Sequence, residues 1–135
     1  LRTNKRLNNA QIEAFHRDRF LSPLEVFSEA EALRMCNELE DAEKRWPEAF
    51  QGAARNNADL NIVCLDEIVH NNALVDIIND LIGPNILNYG TMLFIKGLND
   101  LGFVSWHQDA TYMGLEPHSG ITAWVALSNA DERAG

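Results

Sequence analysis

The run Ser105-Trp106-His107-Gln108-Asp109-Ala110-Thr111-Tyr112 sets an imidazole and a carboxylate two residues apart. In an extended chain, successive side chains alternate between faces, so His107 and Asp109 project together and Gln108 projects away. One neutral nitrogen donor and one anionic oxygen donor on a shared face suit a divalent metal. They are two members of the 2-His-1-carboxylate facial triad, which holds non-heme Fe(II) and leaves positions open for substrate and oxygen. An H-x-D tripeptide alone more often marks a polar pair on a surface strand, so its neighbours carry the argument.

Trp106 precedes the His and Tyr112 follows the Asp, and Gly120-Ile121-Thr122-Ala123-Trp124-Val125-Ala126-Leu127 comes next. Upstream stand Leu81-Ile82-Gly83-Pro84-Asn85-Ile86-Leu87 and Thr91-Met92-Leu93-Phe94-Ile95-Lys96. This set resembles the phytanoyl-CoA dioxygenase family of Fe(II)/2-oxoglutarate oxygenases, with its W-H-Q-D-x-x-Y motif, its G-P-N-I segment and a strand ending in Lys. Softer likenesses lie in Gln11-Ile12-Glu13-Ala14-Phe15 with Asp18, Phe20 and Leu21, and in Asn129 to Gly135. The resemblance spans almost the whole chain.

The resemblance implies Fe(II) held by His107 and Asp109, with 2-oxoglutarate as cosubstrate and dioxygen as co-reactant. It further implies decarboxylation of 2-oxoglutarate to succinate and hydroxylation of an unactivated C–H bond in a small molecule, including one carried on coenzyme A or a carrier protein. Met92, Gln108, Tyr112, Trp124 and Arg55 are the residues it assigns to the cosubstrate and substrate pocket. Each also has a plainer reading: Met92 and Trp124 as core, Arg55 as an exposed loop cation. Trp106 is expected to pack behind the metal site, and Lys96 to end its strand in solvent. Related halogenases carry a small residue at the carboxylate position, so by the same resemblance Asp109 points to hydroxylation or another oxidation rather than halogenation. The family's second metal-binding His and its 2-oxoglutarate-gripping Arg fall beyond Gly135. His16 and His70 sit on helical patterns and His118 in a loop, so none takes the distal role. The chain is therefore expected to be the amino-terminal part of a longer enzyme, silent by itself.

The elements that must position these groups run helices first, strands later. Asn8 or Asn9 can cap a helix to about Arg19, with Ile12, Phe15 and Arg19 near one face. Ser28-x-x-Glu31 has the form of a capping box, opening a helix from Glu29 to about Trp46 that stops at Pro47, with Leu33, Cys36, Leu39 and Glu43 as its inner stripe. Residues 51–61 read as a loop. A third helix is expected from Asp66 to Leu81, burying Ile68, Leu74, Ile77, Ile78 and Leu81, with Gly83 in the left-handed C-terminal position before Pro84. Residues 86–95, 103–108 and 121–127 are rich in β-branched and aromatic residues and are separated by turn-like Gly97 to Asp100 and Gly114 to Gly120. That order gives an α+β class, helical over 1–83 and stranded over 84–135, as a single domain. The resemblance makes it amino-terminal helices on a double-stranded β-helix, a jelly roll or cupin-like barrel, whose last strands lie outside this chain.

Composition sets the remaining bounds. The 135 residues are 46% hydrophobic, enough for one modest core. Twenty acidic against eleven basic residues give a net charge of -9, which argues against a nucleic-acid partner. No apolar run reaches membrane-span length, and the first residues lack a signal-peptide core, so a cytoplasmic protein with no membrane partner is expected. Cys36 and Cys64 show no zinc or redox spacing and read as small buried hydrophobes. No G-x-G-x-x-G follows a strand, which leaves a nicotinamide without a site. Two other classes stay open: a metal hydrolase on a cupin scaffold, and a non-catalytic binding module with half a metal site.

Overall fold

The computed structural model describes residues 5–97, 100–117 and 120–131. His118, part of each expected turn at Gly97 to Asp100 and Gly114 to Gly120, and the end of the Asn129 to Gly135 segment lie outside the described residues.

Helix α1, Asn9–Asp18, starts at Asn8, whose side chain accepts from the Gln11 N–H while the Gln11 side chain accepts from the Asn8 N–H. Arg19 ends it at φ 66, so the helix stops one residue short of the expected Arg19. Helix α2, Glu29–Arg45, begins at the predicted capping box: Ser28 N–H and hydroxyl both donate to Glu31, at 2.8 and 2.6 Å. Its inward stripe differs from the expected one. Met35 is fully buried, and Ala32, Cys36, Leu39 and Ala42 lie half-buried beside it at helical spacing, whereas Leu33 is 59% exposed and Glu43 faces solvent. Met35 faces the cluster of Ala58, Cys64, Leu65 and Ile68, and its burial contributes about 1.5–3 kcal/mol. Cys36 is correspondingly only half-buried, unlike Cys64. Burial also pushes the Cys64 thiol above its ordinary pKa, which keeps it neutral.

The expected loop at 51–61 is wound into short 3-10 turns, Gly52–Arg55 and Ala58–Leu60, after a first turn at Pro47–Phe50. The single expected helix from Asp66 to Leu81 is two helices, α3 Val63–Val69 and α4 Asn72–Ile82. The break has a chemical cause. The Asn71 side chain accepts from Ala73 and Leu74 N–H groups at 2.9 and 3.2 Å, so it starts a new helix instead of continuing the old one. Ile68 and Ile77 are buried as expected, and Leu74, Ile78 and Leu81 are half-buried. Gly83 caps α4 at φ 86 and ψ 178, a positive-φ position as expected but outside the left-handed helical well. Asp80 of α4 accepts from the Arg6 and Leu7 backbone at 2.7 and 2.8 Å, which pins the chain's start onto this helix.

No strand forms among the described residues of the expected β half. The one ladder contact there is the antiparallel bridge between Asn56 and Met92, flanked by Asn57 N–H to Thr91 at 2.8 Å and Leu93 N–H to Arg55 at 3.2 Å. β-branched and aromatic composition marks a chain that fits a half-buried pleated surface; it does not supply the neighbour whose N–H and C=O groups complete a ladder. The alternation survives even so. Leu93, Val125 and Leu127 pack onto the cluster of Met35, Ala58, Cys64, Leu65 and Ile68, while Met92, Phe94 and Trp124 between or beside them are exposed. The helical core therefore anchors the chain on both sides of the His107 segment. A final helical turn, α5 Ala110–Met113, follows Asp109.

Candidate metal centre

His107 Nε2 lies 3.0 Å from Asp109 Oδ1. The pairing does not come from strand alternation. Asp109 is in the right-handed helical region, φ -58 and ψ -39, and opens α5, so the chain bends where a strand would have continued. Backbone bonds from Thr111 N–H to Gln108 at 3.1 Å and from Tyr112 N–H to Asp109 at 2.9 Å hold the bend. The Tyr89 hydroxyl donates to the Met113 carbonyl at 3.0 Å and ties the far end of this turn to the segment that follows α4.

The other donor atom of each residue is already engaged. His107 Nδ1 is 2.8 Å from the Ser105 carbonyl, which only accepts, so Nδ1 carries a proton, and Nε2, when unprotonated, presents its lone pair. Asp109 Oδ2 accepts from the Thr122 hydroxyl. What remains is a nitrogen lone pair and a carboxylate oxygen facing each other, and two acceptors at this distance need a positive charge between them. A second proton on His107 satisfies that need, and the Ser105 carbonyl, followed by the Asp109 carboxylate, does hold the imidazole pKa above its ordinary value against the opposing effect of desolvation. A divalent cation satisfies it equally. Two ligand atoms each about 2.1 Å from one first-row ion, at about 90° to one another, stand about 3.0 Å apart. The observed 3.0 Å is the length of an ordinary hydrogen bond and also of that edge, and the two donor types suit Fe(II), Mn(II) or Zn(II).

Both side chains are about two-fifths exposed, which leaves the approach to the pair open. Among the described residues no third His, Cys, Asp or Glu joins them. His16 packs edge-on against Phe15 within α1, and His70 pairs with Asp66 at 3.0 Å.

The other sequence-selected residues fall in two groups. The bridge sets Met92 opposite Asn56 and Arg55 opposite Leu93, so Arg55 and Met92 are near in the backbone but alternate between faces; Arg55 Nε donates to the Phe50 carbonyl at 2.7 Å. Gln108, Tyr112 and Trp124 are exposed, Tyr112 at 80% and Trp124 at 66%. Trp106 does not pack behind the pair as expected. It is fully exposed, because no described segment lies over it. Lys96 is exposed as expected, but no strand ends there. Sequence reasoning missed Ser105 and Thr122. Ser105 acts through a backbone carbonyl, which no side-chain pattern announces, and Thr122 sits thirteen residues past Asp109 with no periodicity linking the two.

A family model for phytanoyl-CoA dioxygenase (PhyH) matches residues 14–135. Neither a curated relative nor a solved structure matched the chain. No helix among the described residues is long and apolar enough to cross a membrane.

Proposed function

Because the chain belongs to the phytanoyl-CoA dioxygenase family, we propose that it is an Fe(II)/2-oxoglutarate-dependent hydroxylase in which His107 and Asp109 are two of the iron's protein ligands. The family is one of Fe(II)/2-oxoglutarate oxygenases on a cupin-like fold, and helices α1 to α4 are the part we assign to packing against such a barrel. The observation that carries the reading is the 3.0 Å gap between His107 Nε2 and Asp109 Oδ1, with the remaining donor atom of each held by Ser105 and Thr122.

Iron bound here would supply the redox chemistry by which dioxygen and 2-oxoglutarate give succinate, carbon dioxide and one oxygen atom inserted into an unactivated C–H bond. His107 contributes an oriented neutral donor, its ring fixed by the Ser105 carbonyl. Asp109 contributes a single negative charge, so a divalent ion in the site keeps net positive charge in a chain whose overall charge is -9. That local charge recruits a dianionic cosubstrate. Arg55, held through Nε by Phe50, is our candidate for a cosubstrate carboxylate. By the family likeness alone, Met92, Gln108, Tyr112 and Trp124 are assigned to contacts with cosubstrate or substrate. A small-molecule C–H substrate completes the reading.

Anaerobic addition of 2-oxoglutarate to the iron-loaded native protein tests it. A weak visible charge-transfer band, absent with succinate, is expected. An iron-loaded sample that gives no band contradicts the choice of cosubstrate.

A further inference from the structure

The hydroxyl of Thr122 reaches Asp109 Oδ2 from a different part of the chain, and the helical core does not require that bond. Thr122 is itself exposed, yet its position is set by its neighbours: Ile121 is half-buried, and Val125 and Leu127 pack on the Met35 and Cys64 cluster. The segment is thus anchored to the core within three residues of the hydroxyl. Threonine suits the task, because its branched β-carbon restricts χ1 and so limits where Oγ1 can go.

A carboxylate can meet a metal through one oxygen or through both. A hydroxyl donating to Oδ2 stabilises negative charge on that oxygen and takes up one of its two lone pairs. Oδ1 is left on the His107 side at 3.0 Å from Nε2. We propose that Thr122 is a positioning residue that holds Asp109 in single-oxygen coordination and so keeps a neighbouring position on the metal open for cosubstrate. The inference rests on the reading of His107 and Asp109 as ligands. It assigns Thr122 no contact with substrate.

Partners that hold ligating side chains typically contribute 10–100-fold to metal affinity. Thr122→Val keeps the shape and removes the hydroxyl, Thr122→Ala removes the methyl as well, and Thr122→Ser restores the donor. The native protein carrying each change would be titrated with Co(II), reading affinity and the visible ligand-field spectrum, alongside the melting temperature of the metal-free form. The Val and Ala variants are expected to bind Co(II) about 10–100-fold more weakly with an altered spectrum, and the Ser variant to recover both. The metal-free melting temperature is expected to stay unchanged, because Thr122 lies outside the core. Val and Ala variants with unchanged affinity and spectrum, set against an Asp109→Ala control that loses binding, would overturn the role of Thr122 and leave the ligand assignment standing. Unchanged binding in the Asp109→Ala control would overturn the ligand assignment itself.

Discussion

Thr91 donates its hydroxyl to the carboxylate of Asp59, a side chain that is 8% exposed, and Asn88 donates to the other oxygen of the same carboxylate at 3.3 Å. The pairing joins the 3-10 turn after Arg55 to the segment that carries Met92, next to the Asn56 bridge. A buried carboxylate without such donors would be costly, so Asp59 fixes the register between these two stretches.

Asp59→Ala removes the acceptor for both Thr91 and Asn88 and is expected to destabilise the fold by about 1–3 kcal/mol. Asp59→Asn retains an oxygen for Thr91 and should lose less. Urea denaturation measures both, and an Ala variant as stable as the parent would show that the register is held elsewhere.

The capping box of α2 predicts an acid-limb effect. The Ser28 hydroxyl, then the Ser28 N–H, hold the Glu31 carboxyl below its ordinary value of 4.5. A depressed folded-state pKa contributes stability that is present above the unfolded value and disappears as pH falls through the folded one. The melting temperature of Glu31→Gln should therefore trail the parent at neutral pH and converge with it as pH drops below 4.5. A gap that stays constant down the acid limb would mean that Glu31 stabilises the helix without its charge.

Local chemistry was readable wherever a few adjacent residues decide the outcome. Asn8 with Gln11, Ser28 with Glu31, and Gly83 before Pro84 each fix one helix end by bonds or dihedrals within a turn, and each stands where the sequence places it. Asn71 belongs to the same class, but the apolar pattern on both sides masked it and two helices read as one. The inner stripe of α2 misled for another reason: whether Leu33 or Met35 faces inward depends on what α3 presents, and periodicity alone tolerates a rotation of the helix by one residue.

The expected strands at 86–95, 103–108 and 121–127 rested on composition and do not form among the described residues; Leu93, Val125 and Leu127 face the core, whereas Met92 and Trp124, the core residues of the plainer reading, are exposed. Ladders are made between segments distant in sequence, and β propensity describes a surface without naming its neighbour. The His107–Asp109 pair lies between these cases. Type and spacing of His107 and Asp109 were visible, the bend at Asp109 that brings them together was not, and Thr122 needed the folded chain to be found.

The most direct test of the account is Fe(II) binding by the native protein and by its His107→Ala and Asp109→Ala variants under anaerobic conditions. Because Nε2 and Oδ1 face one another 3.0 Å apart with their partner atoms already engaged, the parent is expected to bind one Fe(II) per chain and each variant to lose that binding while still folding. Either variant retaining the parent's iron stoichiometry and affinity would contradict the assignment of this pair as the metal centre.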